Sequence, residues 1–175
     1  PTCMLDNGEL VVDAVSHCFN HAEDNHLHPH AQRWDDETYE LGEQLMPDEY
    51  VFPKEIFYRN HTPEELERLL FFESQIDYSV YHSLPLDDYF KDGYVSREKG
   101  FELRDRNPNR MGMIVDINPL EDDAVEQVEY YAKEKDVDGI KLYPSRYQNG
   151  RDLSMQLNED TVRPVLEKAA DMDIG

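Results

Sequence analysis

The chain has 175 residues, with 39 acidic side chains against 17 basic ones and a formal charge of −22. Nucleic acid and anionic membrane surfaces are excluded as default partners, because both repel such a surface. No apolar run reaches the ~18 residues of a membrane span, and no basic segment followed by an apolar stretch marks a signal peptide.

Leu10 to Val15 is the first apolar segment, rich in branched residues, and reads as a mostly buried strand ending in a polar lip at His17. Cys18 follows, and with Cys3 it makes neither a metal-type pair nor a disulfide framework, so a reducing, cytoplasmic setting is expected. Residues 19–59 are too long for an ordinary strand-to-helix connection. They are polar, histidine-rich and aromatic, and are expected to form a long loop insertion over the site or an oligomer-contact arm. Within it His26, His28 and His30 alternate. Close imidazoles suit zinc or copper, but Pro29 and the loop context favour surface placement.

Thr62-Pro63-Glu64-Glu65 is a capping box with proline in the first turn, opening a helix with Leu66, Leu69 and Leu70 on one face. The cap also explains Thr62 better than the glycosylation pattern Asn60-His61-Thr62 does. A second strand is expected at Ile76–Tyr81, a helix at Ser96–Arg106, a third strand at Met111–Ile117 and a helix at Glu121–Lys135. Val137–Tyr143 is the fourth expected strand; a turn at Asn149-Gly150 and a helix at Asn158–Met172 follow. Strand and helix alternate, which predicts an α/β fold with a parallel sheet. Four such units make the amino-terminal half of a TIM-like (β/α)8 barrel. No glycine-rich phosphate fingerprint follows any strand, which counts against an open dinucleotide-binding sheet. Met172 to Gly175 has the character of a lead into a fifth strand.

Each predicted strand delivers one polar group to the same rim: His17, His82, Asp116 and Lys141. Strict alternation along the first strand places Asp13, Val15 and His17 on one face. Lys141 is the sharpest of the four, since an ammonium inside an apolar parallel strand loses hydration unless it is paired or modified. Three readings stand open: a carbamylated metal ligand, a Schiff-base nucleophile with a desolvated amine, or a pair with Asp116.

The segments Val11–His17, Ile76–Ser83 and Gly139–Pro144 together resemble the amidohydrolase superfamily, in its amidohydrolase-2 or amidohydrolase-related branch. The resemblance implies a barrel with one or two divalent metals (zinc, manganese or iron) at the carboxyl ends of the strands. It implies hydrolysis of a C–N or C–O bond by metal-activated water, or non-oxidative decarboxylation in other members. His17 and Lys141 would be metal ligands, Lys141 after carbamylation; His82, Tyr143 and Asp116 would contact a small-molecule substrate. The family's first strand carries His-x-His, and Val15 occupies the first of those positions here, which points to an atypical or mononuclear centre. The other ligands and the general base would lie on the fifth to eighth strands, absent from these 175 residues. A Schiff-base lyase through Lys141 and a non-catalytic subunit are the rival readings. A homo-oligomer, or a hetero-oligomer with a homologous subunit, is expected to cover the open sheet edges.

Overall fold

A computed structural model describes residues 8–143, 145–148, 151–154 and 160–175. Its centre is a parallel sheet of β1 (Val12–Ser16), β2 (Tyr78–His82), β3 (Met111–Asp116) and β4 (Gly139–Lys141), in the spatial order β1-β2-β3-β4. The helices are α1 (Pro29–Leu45), α2 (Lys54–Phe57), α3 (Pro63–Arg68), α4 (Arg97–Arg106), α5 (Ala124–Lys135) and α6 (Arg163–Asp171). The alternating α/β architecture expected from the sequence is present. Every connection between sheet neighbours carries a helix, as parallel pairing requires.

Along β2 the burial alternates, whereas on β3 every residue but Ile114 is buried. Ser79 and Tyr81 align with Met111 and Met113 on the face covered by helices. There Tyr81, Leu103, Met113, Val115 and Val128 are wholly buried, each contributing on the order of 2 kcal/mol of apolar burial. Tyr81 keeps its hydroxyl satisfied by donating to the Ser96 carbonyl at 2.8 Å. The opposite face, with Tyr78, Val80, His82 and Ile114, is only half covered. At the edge Val12 and Val15 are 50% and 54% exposed. The inner face is therefore open at β1 and β2, because four strands do not close over it.

Helix α4 packs very close to this sheet. A Cβ added at Gly100 would stand 2.5 Å from the Tyr81 ring and 2.7 Å from the Met113 sulfur. Gly100→Ala therefore sets a gain of up to about 1 kcal/mol in helix propensity against an overpacking cost of about 1–3 kcal/mol. The second wins, and urea unfolding is expected to show a net loss of about 1–2 kcal/mol. An unchanged or raised midpoint would mean that α4 has room to move.

Three departures from the predicted elements stand out. Residues 19–59 are not simply a loop, since α1 runs for 17 residues inside them, with His28 as its cap and Pro29 in its first turn. Helix α3 is capped by Thr62 and Glu65 as the sequence predicts, but it continues into a π-helical turn at Leu69–Glu73. Beyond β4, β5 (Ser145–Gln148) and β6 (Arg151–Ser154) pair antiparallel, with Gln148 opposite Arg151; the predicted turn at Asn149-Gly150 lies outside the described residues. At the end of the chain Gly175 donates to the Asp138 carbonyl and accepts from the Ile140 amide. Those two bonds tie the Gly175 backbone to that of β4.

Candidate active site at the strand ends

His17 follows the last residue of β1, and His82, Asp116 and Lys141 are the last residues of β2, β3 and β4. The carboxyl ends of four neighbouring strands thus each present a polar side chain, three of them close enough to interact electrostatically. His17 Nδ1 lies 2.8 Å from the His82 carbonyl, and His82 Nε2 lies 3.0 Å from the Ala14 carbonyl. A carbonyl only accepts, so each of these nitrogens is the protonated one. In the neutral rings this leaves a lone pair on His17 Nε2 and on His82 Nδ1. The two rings meet edge to face, 6.3 Å between centroids.

Burial lowers the pKa of His17, and the Lys141 and His82 charges reinforce it against the hydrogen bond to His82. Burial and then Lys141 lower that of His82. Removing the charge in Lys141→Met is therefore expected to raise both toward 6.5, with His82 responding at least as strongly. Titration of the imidazole Cε1 protons by NMR checks this; pKa values identical to the parent chain would place the ammonium away from the pair.

His61, just after the insertion, also has its pKa lowered, chiefly by burial. For all three histidines the unfolded chain binds protons that the folded chain refuses. Stability is therefore full above about pH 6.5, the ordinary histidine value, and falls as the pH drops through 6.5 toward the lower folded values. Urea midpoints measured from pH 8 to pH 5 should decline only below neutrality. A midpoint that rises on acidification would contradict the sign.

Lys141 is half-buried rather than enclosed, and its Nζ sits 5.1 Å from the centre of the Tyr143 ring. The ammonium thus reaches an aromatic face, which lessens the desolvation cost that made a modified lysine attractive. Asp116 aligns with Lys141 in the β3–β4 register and is fully buried. Its amide donates to Ser83 Oγ at 2.8 Å and its carbonyl accepts from Arg97 at 2.9 Å. Arg97 and Ser83 thus lock the Asp116 backbone at the rim.

The expected alternation of Asp13, Val15 and His17 is broken. Asp13 aligns with Ser79 and Ser16 with Tyr81, three residues on β1 against two on β2, which is a bulge. Asp13 consequently shares the helix-facing register of Ser79, whose hydroxyl it accepts at 3.1 Å, and its other oxygen accepts the Val15 amide. The bulge lets His17 reach across to β2.

Sequence reasoning missed a second polar centre, inside the insertion. Asp35 of α1 is wholly buried and accepts from His21 Nδ1 and His26 Nε2, each at 2.8 Å. His26 is thereby committed, and His28 accepts the His30 amide as the cap of α1. Of the alternating histidines, His26 and His28 thus make local structural bonds, and among the described residues no group of three His, Cys, Asp or Glu side chains that could hold a metal occurs. His21 lies against Phe57 at 4.1 Å and Phe19 at 5.0 Å between ring centres. Lys99 pins the two ends of the insertion together, donating to the Phe19 and His61 carbonyls. Cys18 is buried, donates to the His61 carbonyl and has its thiol pushed up to about 11 by burial, so it is an inert packing residue.

Two imidazole lone pairs at one rim, His17 Nε2 and His82 Nδ1, suit coordination of a divalent metal, with backbone carbonyls fixing both rings in the manner usual for ligating histidines. The Lys141 ammonium has no lone pair unless it is modified. Val15 adds no donor to this rim. Among the described residues no helix is long and apolar enough to cross a membrane.

No protein-family model and no curated protein matches the sequence. Solved structures do match the fold. One is 2,6-dihydroxybenzoate decarboxylase complexed with 2,6-dihydroxybenzoate, at TM-score 0.55 and 16% identity, over 95% of this chain and 49% of that one. Another is a mutant 5-carboxyvanillate decarboxylase from Novosphingobium aromaticivorans with bound manganese and 3-methoxy-4-hydroxy-5-nitrobenzoic acid. It matches at TM-score 0.56 and 16% identity, over 97% of this chain and 50% of that one. The chain thus spans about half the length of the solved decarboxylases it matches, and what it shares with them is the fold, here a four-stranded parallel α/β half barrel.

Proposed function

We propose that the polar strand ends form one flank of a metal-dependent active site of the amidohydrolase superfamily, and that its reaction is non-oxidative decarboxylation of a small aromatic acid. The observation that carries this reading is the meeting of His17, His82 and Lys141 at consecutive strand ends, in a fold shared with two decarboxylases of aromatic acids. A divalent metal at this rim would polarise a carboxylate and a neighbouring oxygen of the substrate. His17 would ligate through Nε2. Lys141 would supply positive charge to a substrate carboxylate from its place over Tyr143, or a bridging ligand if carbamylated. His82, Tyr143 and Asp116 would line the substrate pocket. The open inner face of the sheet would be covered by further strands or by a homologous subunit, and the free, buried thiol of Cys18 suits a reducing cytoplasm.

The test offers hydroxybenzoates and, separately, aryl amides and esters to the protein with Mn2+ or Zn2+. Carbon dioxide release confined to the aromatic acids supports the proposal. Cleavage of the amides or esters alone would replace it with a hydrolase. Borohydride trapping of a carbonyl compound on Lys141 would replace it with Schiff-base chemistry. Inertness toward all of them once the further strands or the homologous subunit cover the inner face would replace it with a non-catalytic subunit, whereas the 175 residues alone are expected to be inactive.

A further inference from the structure

The groove between α4 and α5, on the helical side of the sheet, is a second concave surface, and the strand-end site does not use it. Its volume is about 520 Å3. Its floor is aromatic: the Phe101 ring of α4 stacks on the Tyr131 ring of α5 at 6.1 Å between centres, and Tyr130 beside them is 48% exposed.

The wall along α4 is acidic, and the helical period explains how. Helix α4 buries Gly100 and Leu103, so residues 98, 102 and 105, spaced four and three apart, share the opposite face. All three are exposed carboxylates lining the groove. Like charges at this spacing destabilise a helix, yet among the described residues no cation is ion-paired with Glu98, Glu102 or Asp105. Acids on other helices are neutralised, Glu37 by Arg33 and Glu129 by Lys133 and Lys168. The bases at this groove are engaged elsewhere. Arg106 pairs with Glu64 and Glu67, and the Lys135 ammonium lies 5.3 Å from the centre of the Phe101 ring.

We propose that this groove is a docking surface for a basic amphipathic helix of a partner protein. Its lysines or arginines would stand against Glu98, Glu102 and Asp105, and an apolar side chain would cover the exposed Tyr130 ring. Cations at i, i+4 and i+7 of such a helix span about 10.5 Å, the length over which α4 sets out its carboxylates. Charge selects this occupant. A second copy of the chain brings a formal charge of −22, nucleic acid and anionic lipid bring phosphates, and all are repelled. The surface serves whether or not the strand ends hold a metal.

The probe is a synthetic helical peptide of about 14 residues, alanine and leucine with lysine at i, i+4 and i+7. The same peptide with glutamate at those positions is the control. Calorimetric titration into the 175-residue chain should show saturable binding of the lysine peptide alone, weakened several-fold between about 20 and 200 mM salt. Glu102→Lys should weaken it by about tenfold, through one lost attraction and one new repulsion. Glu40→Lys makes the same change of net charge at an exposed position of α1 and should leave the affinity unchanged. The inference is overturned by an absence of saturation up to about 1 mM peptide, by equal binding of the two peptides, or by equal effects of Glu102→Lys and Glu40→Lys. A dimer that shields the groove from the peptide would put a second copy in the partner's place and overturn it as well.

Discussion

Asp35→Ala is expected to destabilise the chain by about 3 kcal/mol, the largest loss from any single truncation in the insertion. Asp35 is wholly buried and is the shared acceptor of His21 and His26. Its removal leaves the two imidazole N–H groups without that partner, in a site that water scarcely enters, at roughly 1–3 kcal/mol each. The lost side chain adds a small cavity under α1. Asp35→Asn should lose about half as much. Its amide oxygen accepts from one ring, and its NH2 can donate to the other once that ring changes tautomer. Urea unfolding monitored by tryptophan fluorescence reads both variants, since Trp34 is the residue before Asp35. If Asp35→Ala unfolds at the parent midpoint, the His–Asp–His cluster is not what holds α1 in place.

His17→Ala is the second, and its effect falls on chemistry rather than on stability. His17 offers Nε2 to the strand-end rim because its Nδ1–H is tied to the His82 carbonyl. Mutating residues that merely orient a metal ligand costs about 10–100-fold in affinity or activity, so if His17 ligates as proposed its removal should weaken Mn2+ binding by about 100-fold or more. His17 lies beyond the last residue of an edge strand, and its loss should cost the fold only about 1 kcal/mol. Isothermal titration with Mn2+ on a sample of unchanged circular dichroism separates the two effects. His82→Ala makes the comparison sharper, because it leaves the His82 carbonyl in place to orient His17. Its metal affinity should fall less than that of His17→Ala. Equal Mn2+ affinity in His17→Ala and the parent would remove His17 from the ligand set.

The elements legible from sequence are those whose own residues enforce them. Thr62 and Glu65 cap each other across one turn, so local chemistry alone starts α3. Met111–Asp116 is apolar enough that only a strand buried on at least one face accommodates it. Helix α1 was illegible for the opposite reason. The residues it buries, Ala31, Asp35 and Tyr39, include a carboxylate, while Trp34, Leu41 and Leu45 stay exposed. Its pattern therefore reads as polar until His21 and His26 arrive to pair with Asp35. The bulge in β1 was likewise hidden, because alternation assumes a register that only the β2 partner sets.

Order and spacing along the chain were thus enough to determine a half barrel with polar residues at four strand ends. Which nitrogen of each imidazole keeps its lone pair was decided by carbonyls that folding brings from the neighbouring strand, 65 and 68 residues away. The tertiary structure alone also decided that a carboxylate and two histidines in the insertion make a scaffold. The physical reason is common to both: a hydrogen bond gains its meaning from burial and from its partner, and neither is a property of the residue's own neighbourhood in sequence.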